Sequence, residues 1–126
     1  MKLNTKDDVL ELLQAYVPSA ALSAALELGV FWLLEEQPRT AEGVAGALKI
    51  PLQRCVYWLE MLASYDLLER RGDAYAPSTL ARQAITTTHS PETWALLAQE
   101  ARERYPAGID LSQTLSHPAS IWTLLG

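Results

Sequence analysis

Apolar residues recur at spacings of three and four near the start of the chain: Val9, Leu10, Leu12, Leu13, Tyr16 and Val17, with Asp8, Glu11 and Gln14 left on the polar side. That pattern predicts an amphipathic helix. Thr5 is placed to cap it, Asp8 takes the capping-box position, and Pro18 is expected to close it after Val17. A second helix is predicted over Ser19 to Leu28, where Ala20, Ala21, Ala24 and Ala25 accompany Leu22 and Leu26. Such small residues let another helix approach closely, from a second subunit or from the same chain. Gly29 suits the left-handed residue that ends this helix, and Val30 to Glu36 restarts a short one, with Phe31, Trp32 and Leu33, before Pro38.

The next stretch changes rhythm. Thr40 caps a helix over Ala41 to Leu48, with Val44, Ala45 and Leu48 facing inward. Lys49-Ile50-Pro51 then turns the chain, with Pro51 at the first position of the next helix. Leu52, Cys55, Val56, Leu59, Leu62 and Ala63 form the buried stripe of that helix, and Asp66 ends it where a left-handed residue is needed. Two short strands, Leu67 to Arg70 and Ala74 to Pro77, flank Arg71-Gly72-Asp73. That tripeptide is read as a hairpin turn rather than an adhesion motif. Ser78 caps a short helix, Thr79 to Ala84, and Thr86 to His89 is a polar loop. Ser90-Pro91-Glu92 starts a last long helix that is expected to end at Pro106 and Gly108. Trp94, Leu97, Ala98, Ala101 and Tyr105 line one face of it, and Glu100 with Arg104 is a favourable pair four apart.

The predicted fold is therefore mainly α: a winged helix-turn-helix with a small β-hairpin and extra N- and C-terminal dimerisation helices. Its parts are residues 1–39, dimerisation helices; 40–83, the winged-helix unit; and 84–126, helices leading toward a catalytic domain that the sequence does not contain. At 126 residues and 49% apolar these parts share one core. Beyond Leu111, the apolar Ile121, Trp122, Leu124 and Leu125 have nothing left to cover them, which suggests a partner subunit or a following domain.

Helix-turn-helix units hold either DNA or protein, and the outer face of the second helix decides between them. It carries Gln53, Arg54, Tyr57, Trp58, Glu60, Met61, Ser64 and Tyr65. A groove-reading helix needs several donors aimed at bases and basic flanks for phosphates. From Thr40 to Leu80, Lys49, Arg54, Arg70 and Arg71 face Glu42, Glu60, Asp66, Glu69 and Asp73, a net −1, and the whole chain carries −5. Nucleic acid is thus disfavoured, and the face reads as one covered by protein or ligand.

Other chemistry is sparse. The six glycines, at 29, 43, 46, 72, 108 and 126, form no strand-to-helix nucleotide loop, and there is no P-loop, nucleophile elbow or zinc spacing. Catalytic, cofactor-binding and metal residues are therefore assigned to none in this chain. Cys55 is read as a core thiol, Glu35 and Glu36 as solvated, and His89 and His117 as surface residues. Ala15 to Leu34 holds one charge, Glu27, but Pro18, Ser19, Ser23 and Gly29 interrupt it, so burial is expected rather than a membrane span. With one cysteine and no leader pattern, a cytoplasmic location is expected.

The ordered set Ala25-Leu26-Glu27-Leu28-Gly29-Val30-Phe31, then Thr40, Glu42, Val44 and Ala45, then Leu59, Leu62, Leu67 and Leu68, then Tyr75, Pro77 and Ser78, resembles a known family. It is similar to the N-terminal dimerisation domain of S-adenosylmethionine-dependent O-methyltransferases, the caffeate-type plant enzymes and their bacterial natural-product relatives. The resemblance implies an intertwined homodimer that closes part of the pocket for a small aromatic or polyketide-like substrate. S-adenosylmethionine would be held by a following Rossmann-like domain, with no cofactor in this chain. On this reading the dimer or pocket surface includes Leu22, Ala25, Leu26, Phe31, Trp32, Tyr57, Trp58, Met61 and Trp122. Asp66 departs from the family's usual glycine, and the wing turn is short. The alternatives are a winged-helix transcriptional regulator and a docking module for a larger biosynthetic complex.

Overall fold

The computed structural model describes residues 2–109 and 111–115. Its first helix, α1, spans Lys6–Leu13 and carries the predicted capping box: the Thr5 hydroxyl accepts the Asp8 amide at 3.1 Å while the Asp8 carboxylate accepts the Asn4 and Thr5 amides. Those amides hold the Asp8 carboxyl below its usual range. Contrary to expectation, Pro18 does not end this segment. The chain bends by 44° at Gln14 and Ala15, and α2 then runs Tyr16–Leu28 with Pro18 in its first turn. A proline is tolerated there because the third amide of a helix has no intrahelical acceptor. Among the described residues no single helix is long and apolar enough to cross a membrane.

Gly29, at φ 76°, is at once the C-cap of α2 and the N-cap of α3, Val30–Glu36. A two-residue strand, β1 at Arg39–Thr40, precedes α4, Ala41–Leu48, whose first turn Thr40 caps by accepting the Gly43 amide at 3.1 Å. Lys49 closes α4 in the left-handed conformation. Helix α5 runs Leu52–Ser64 with Pro51 as its N-cap, one residue before the position expected for it. The hairpin strands are β2, Leu68–Arg71, and β3, Ala74–Pro77. Their turn is the pair Gly72-Asp73, Gly72 taking φ 67°, so β2 lies one residue later than predicted. β1 adds to the free side of β3, giving an antiparallel order β1-β3-β2 in which Tyr75 stands between Arg39 and Arg70. Sequence periodicity gives no warning of β1, since two residues have no period.

Asp66 takes φ 60°, and the Ser78 hydroxyl donates to its carbonyl while accepting the Ala81 amide. One buried serine thus fixes both ends of the hairpin and caps α6, Thr79–Ala81, which widens into a π-helical turn at Arg82–Thr86. Helix α7, Pro91–Ile109, continues through Pro106 rather than ending there. The proline leaves the Arg102 carbonyl without its helical donor, on an exposed part of the helix where water can serve. A last turn, α8, spans Leu111–Thr114.

The core lies between α3, α4, α5 and the sheet. Phe31, Leu34, Leu59, Leu62, Val30, Val44 and Cys55 are fully buried there. The Cys55 thiol donates to the Ala41 carbonyl at 3.7 Å, and burial pushes its pKa up, so it stays a neutral core group. Helix α7 lies along α2: Trp94 Nε1 donates to the Ile85 carbonyl at 2.9 Å, Ser23 Oγ to the Ala98 carbonyl at 3.4 Å, and Arg102 to Glu27 at 3.2 Å. Among the described residues, the expected pair between Glu100 and Arg104 does not form an ion pair.

Candidate functional site

Three surfaces carry the residues singled out from the sequence. The first is the N-terminal face. Leu3, Val9, Leu10, Leu12, Leu13, Tyr16 and Val17 are 39–72% exposed, and α1 buries none of its residues. Beside it, α2 and α7 enclose a groove of about 310 Å³ lined by Tyr16, Ala20, Ala24, Ala101, Arg102 and Tyr105, among others. The small residues of α2 thus serve two neighbours. Ala25 packs inward and Ala21 rests against the core, while Ala20 and Ala24 remain on the groove.

The second surface is the outer face of α5. Tyr57 is 68% exposed. Trp58 turns inward instead, its Nε1 donating to the Ala21 carbonyl at 3.0 Å and so tying α5 to α2. Met61 and Leu22, distant in sequence, meet in a hollow of about 180 Å³ completed by Pro18, Ser19, Tyr65 and Leu67. The pairing of α2 with α5 produces this hollow, and no motif in either helix marks it.

Several predicted surface residues are interior. Ala25 and Phe31 are fully buried and Leu26 is 6% exposed, so within this chain they belong to the core. Their helices turn these positions toward the hydrophobic centre once Gly29 sets the angle between α2 and α3. Trp32 is half-buried, edge-on to Phe31 with ring centroids 6.5 Å apart. Trp122 lies outside the described residues, as does His117. His89 is exposed and stands edge-on to Trp94 at 5.5 Å.

The third surface is the wing. Arg70 pairs with Glu60, and its guanidinium lies 5.0 Å from the centre of the Tyr75 ring. The Tyr75 hydroxyl donates to the same Glu60 oxygen. Burial, then that hydrogen bond, push its pKa up to about 12. Arg71 pairs with Glu69 at 2.8 Å. Both wing arginines are therefore held by carboxylates, which leaves little positive potential for phosphate.

The family profile of the O-methyltransferase dimerisation domain matches residues 10–87. This chain belongs to that family. It is 35% identical over 107 residues to the N,N-dimethyltransferase OxyT of Streptomyces rimosus, an alignment that covers 85% of this chain and 31% of the relative. Among solved structures, PigF with SAH superposes at a TM-score of 0.82 and 22% identity, over 98% of this chain and 36% of that one. The mitomycin 7-O-methyltransferase MmcR gives 0.73 at 25% identity, over 96% and 36%. The chain thus spans about a third of the length of these proteins.

For this dimerisation domain, the match runs from inside α1 through the π-helical turn. Methyl transfer in such proteins needs S-adenosylmethionine, and the described residues do not fit it. A nucleotide cradle needs a strand that passes through a glycine loop into a helix. Here the strands are two to four residues long and antiparallel, and β1 enters α4 directly through the Thr40 cap.

Proposed function

We propose that this chain is the non-catalytic dimerisation and substrate-capping part of an S-adenosylmethionine-dependent O-methyltransferase for a small aromatic or polyketide-like molecule, acting as a homodimer in the cytoplasm. The observation that carries the reading is the apolar face of α1, uncovered in its own chain, on a member of a dimerisation-domain family. The relatives include one named for methylating nitrogen and one for methylating oxygen. On this proposal the acceptor atom is chosen in the catalytic domain, and the present fold supplies assembly and part of the pocket wall. The Leu22 and Met61 hollow, with Tyr57 beside it on α5, is the wall we assign to the substrate.

Two measurements test this. Light scattering at micromolar concentration is expected to give twice the monomer mass, and a monomer would remove the assembly role. In the methyltransferase that carries this domain, Met61→Ala is expected to raise KM for the acceptor several-fold and leave KM for S-adenosylmethionine unchanged. An unchanged acceptor KM would remove the capping role.

A further inference from the structure

The α2–α7 groove is held open by the ties between its own walls. Ser23 Oγ donates to the Ala98 carbonyl at 3.4 Å and Arg102 donates to Glu27 at 3.2 Å, while Ala20, Ala24 and Ala101 bring only methyl groups to the space between the helices. About 310 Å³ is left unfilled as a result. The half-exposed rings of Tyr16 and Tyr105 complete a largely apolar lining. An apolar cavity of about 150 Å³ takes one benzene ring, so the groove has room for two fused rings. That volume also reaches the lower end of the roughly 300–1,000 Å³ of small-molecule pockets.

The charged equipment of the groove is one ion pair. Arg102 spends a single nitrogen, Nη1, on Glu27, and its side chain stays 62% exposed; Glu27 spends a single oxygen, Oε2, on the same bond. A guanidinium has five N–H donors and a carboxylate about four acceptor sites, so both partners keep hydrogen-bonding capacity. Their charges cancel, which decides what can join them. A carboxylate ligand would be repelled by Glu27, and an ammonium by Arg102. An uncharged group that donates to the one and accepts from the other satisfies both, and a phenol hydroxyl does this while placing an aromatic ring over the alanine floor.

We propose that the α2–α7 groove binds an uncharged phenol of one or two fused rings, its hydroxyl donating to Glu27 and accepting from Arg102. The arrangement tells a phenol from its methyl ether, which has no proton to offer Glu27. This site does not rest on the homodimer reading. It is also separate from the Leu22 and Met61 hollow, with which it shares only Ser19 in its lining.

The test titrates 2-naphthol into the full chain near pH 7 and reads binding by ligand-observed NMR. Saturable one-to-one binding is expected, with 2-methoxynaphthalene and 2-naphthoate at least tenfold weaker. Ala101→Trp, at an exposed position, is expected to weaken 2-naphthol at least tenfold while circular dichroism shows the helical fold retained. Glu27→Gln is expected to narrow the gap between 2-naphthol and 2-naphthoate, because the repelling charge is gone and Arg102 remains. Absence of saturable binding, or equal affinity for the three probes, overturns the site. Binding that is lost in Met61→Ala and ignores Ala101→Trp places the phenol in the hollow, and binding that falls as a dimer forms gives the groove to a second copy; either result overturns the proposal.

Discussion

The winged-helix unit and the N-terminal arm share a sequence style but not a fate. Both are built of short capped helices rich in Leu, Val and Ala. In α4, α5 and the sheet, the apolar stripes meet each other, and Val44, Cys55, Leu59 and Leu62 lose almost all contact with water. In α1 the stripe is just as regular, and its leucines stay 42–72% exposed. Amphipathic periodicity states that a face will be buried, and says nothing about which molecule will bury it.

The contrast can be broken most forcefully in the core. Phe31→Ala is expected to lower the unfolding free energy by about 3–5 kcal/mol in a urea titration. Leu12→Ala, on the exposed arm, is expected to change it by less than about 0.5 kcal/mol under dilute, dissociating conditions. Equal losses would mean that the arm is packed within its own chain after all. The two caps make a finer version of the same experiment. Thr40→Ala is expected to cost about 1 kcal/mol of global stability, because α4 is part of the core. Thr5→Ala is expected to fray α1 alone, visible as a small loss of helical ellipticity with an unchanged unfolding midpoint under the same dilute conditions. The tie between the regions is Trp58. Removing its indole N–H in Trp58→Phe is expected to cost about 1 kcal/mol, and no loss would mean that α2 does not lean on that bond.

A smaller effect separates the wing from both. With the folded Tyr75 at about 12 against roughly 10 in the unfolded chain, the fold favours the neutral phenol. Its contribution is complete below about pH 10 and is lost as pH climbs through about 12. Phenolate absorbance is expected to show one tyrosine titrating last, and Glu60→Gln to bring it lower; coincident titration of all the tyrosines would contradict this. Smallest of all is the response to DNA. A duplex at low salt is expected to show no retardation, and Arg70→Ala with Arg71→Ala no change, because both side chains are already engaged.

Where a feature is decided within a few residues, it was readable in advance. The Thr40 cap, the Gly29 and Asp66 conformations, and the limits of α3 and α4 each follow from side chains adjacent to the event. Pro18 and Pro106 misled for the same local reason. Proline forbids a helical hydrogen bond only where one would otherwise form, and each sits where the loss is tolerable. The rest depended on distant partners. Whether Ala25, Leu26 and Phe31 face inward or outward depends on the angle at Gly29. The Leu22 and Met61 hollow exists only once α5 lies beside α2, and the groove only once α7 does. The Ala-rich helix did signal a close neighbour, and α7 answered part of that signal.

Gly29 has a mechanical consequence. Ala25 and Leu26 before it and Val30, Phe31 and Leu34 after it are buried in one core, so α2 cannot swing about this corner without disturbing the packing around α3. The corner works as a gear rather than a joint, so a grip on the outside of α2 is delivered to Phe31. An assembly built on that helix then melts together with its protomers, at a temperature that rises with concentration.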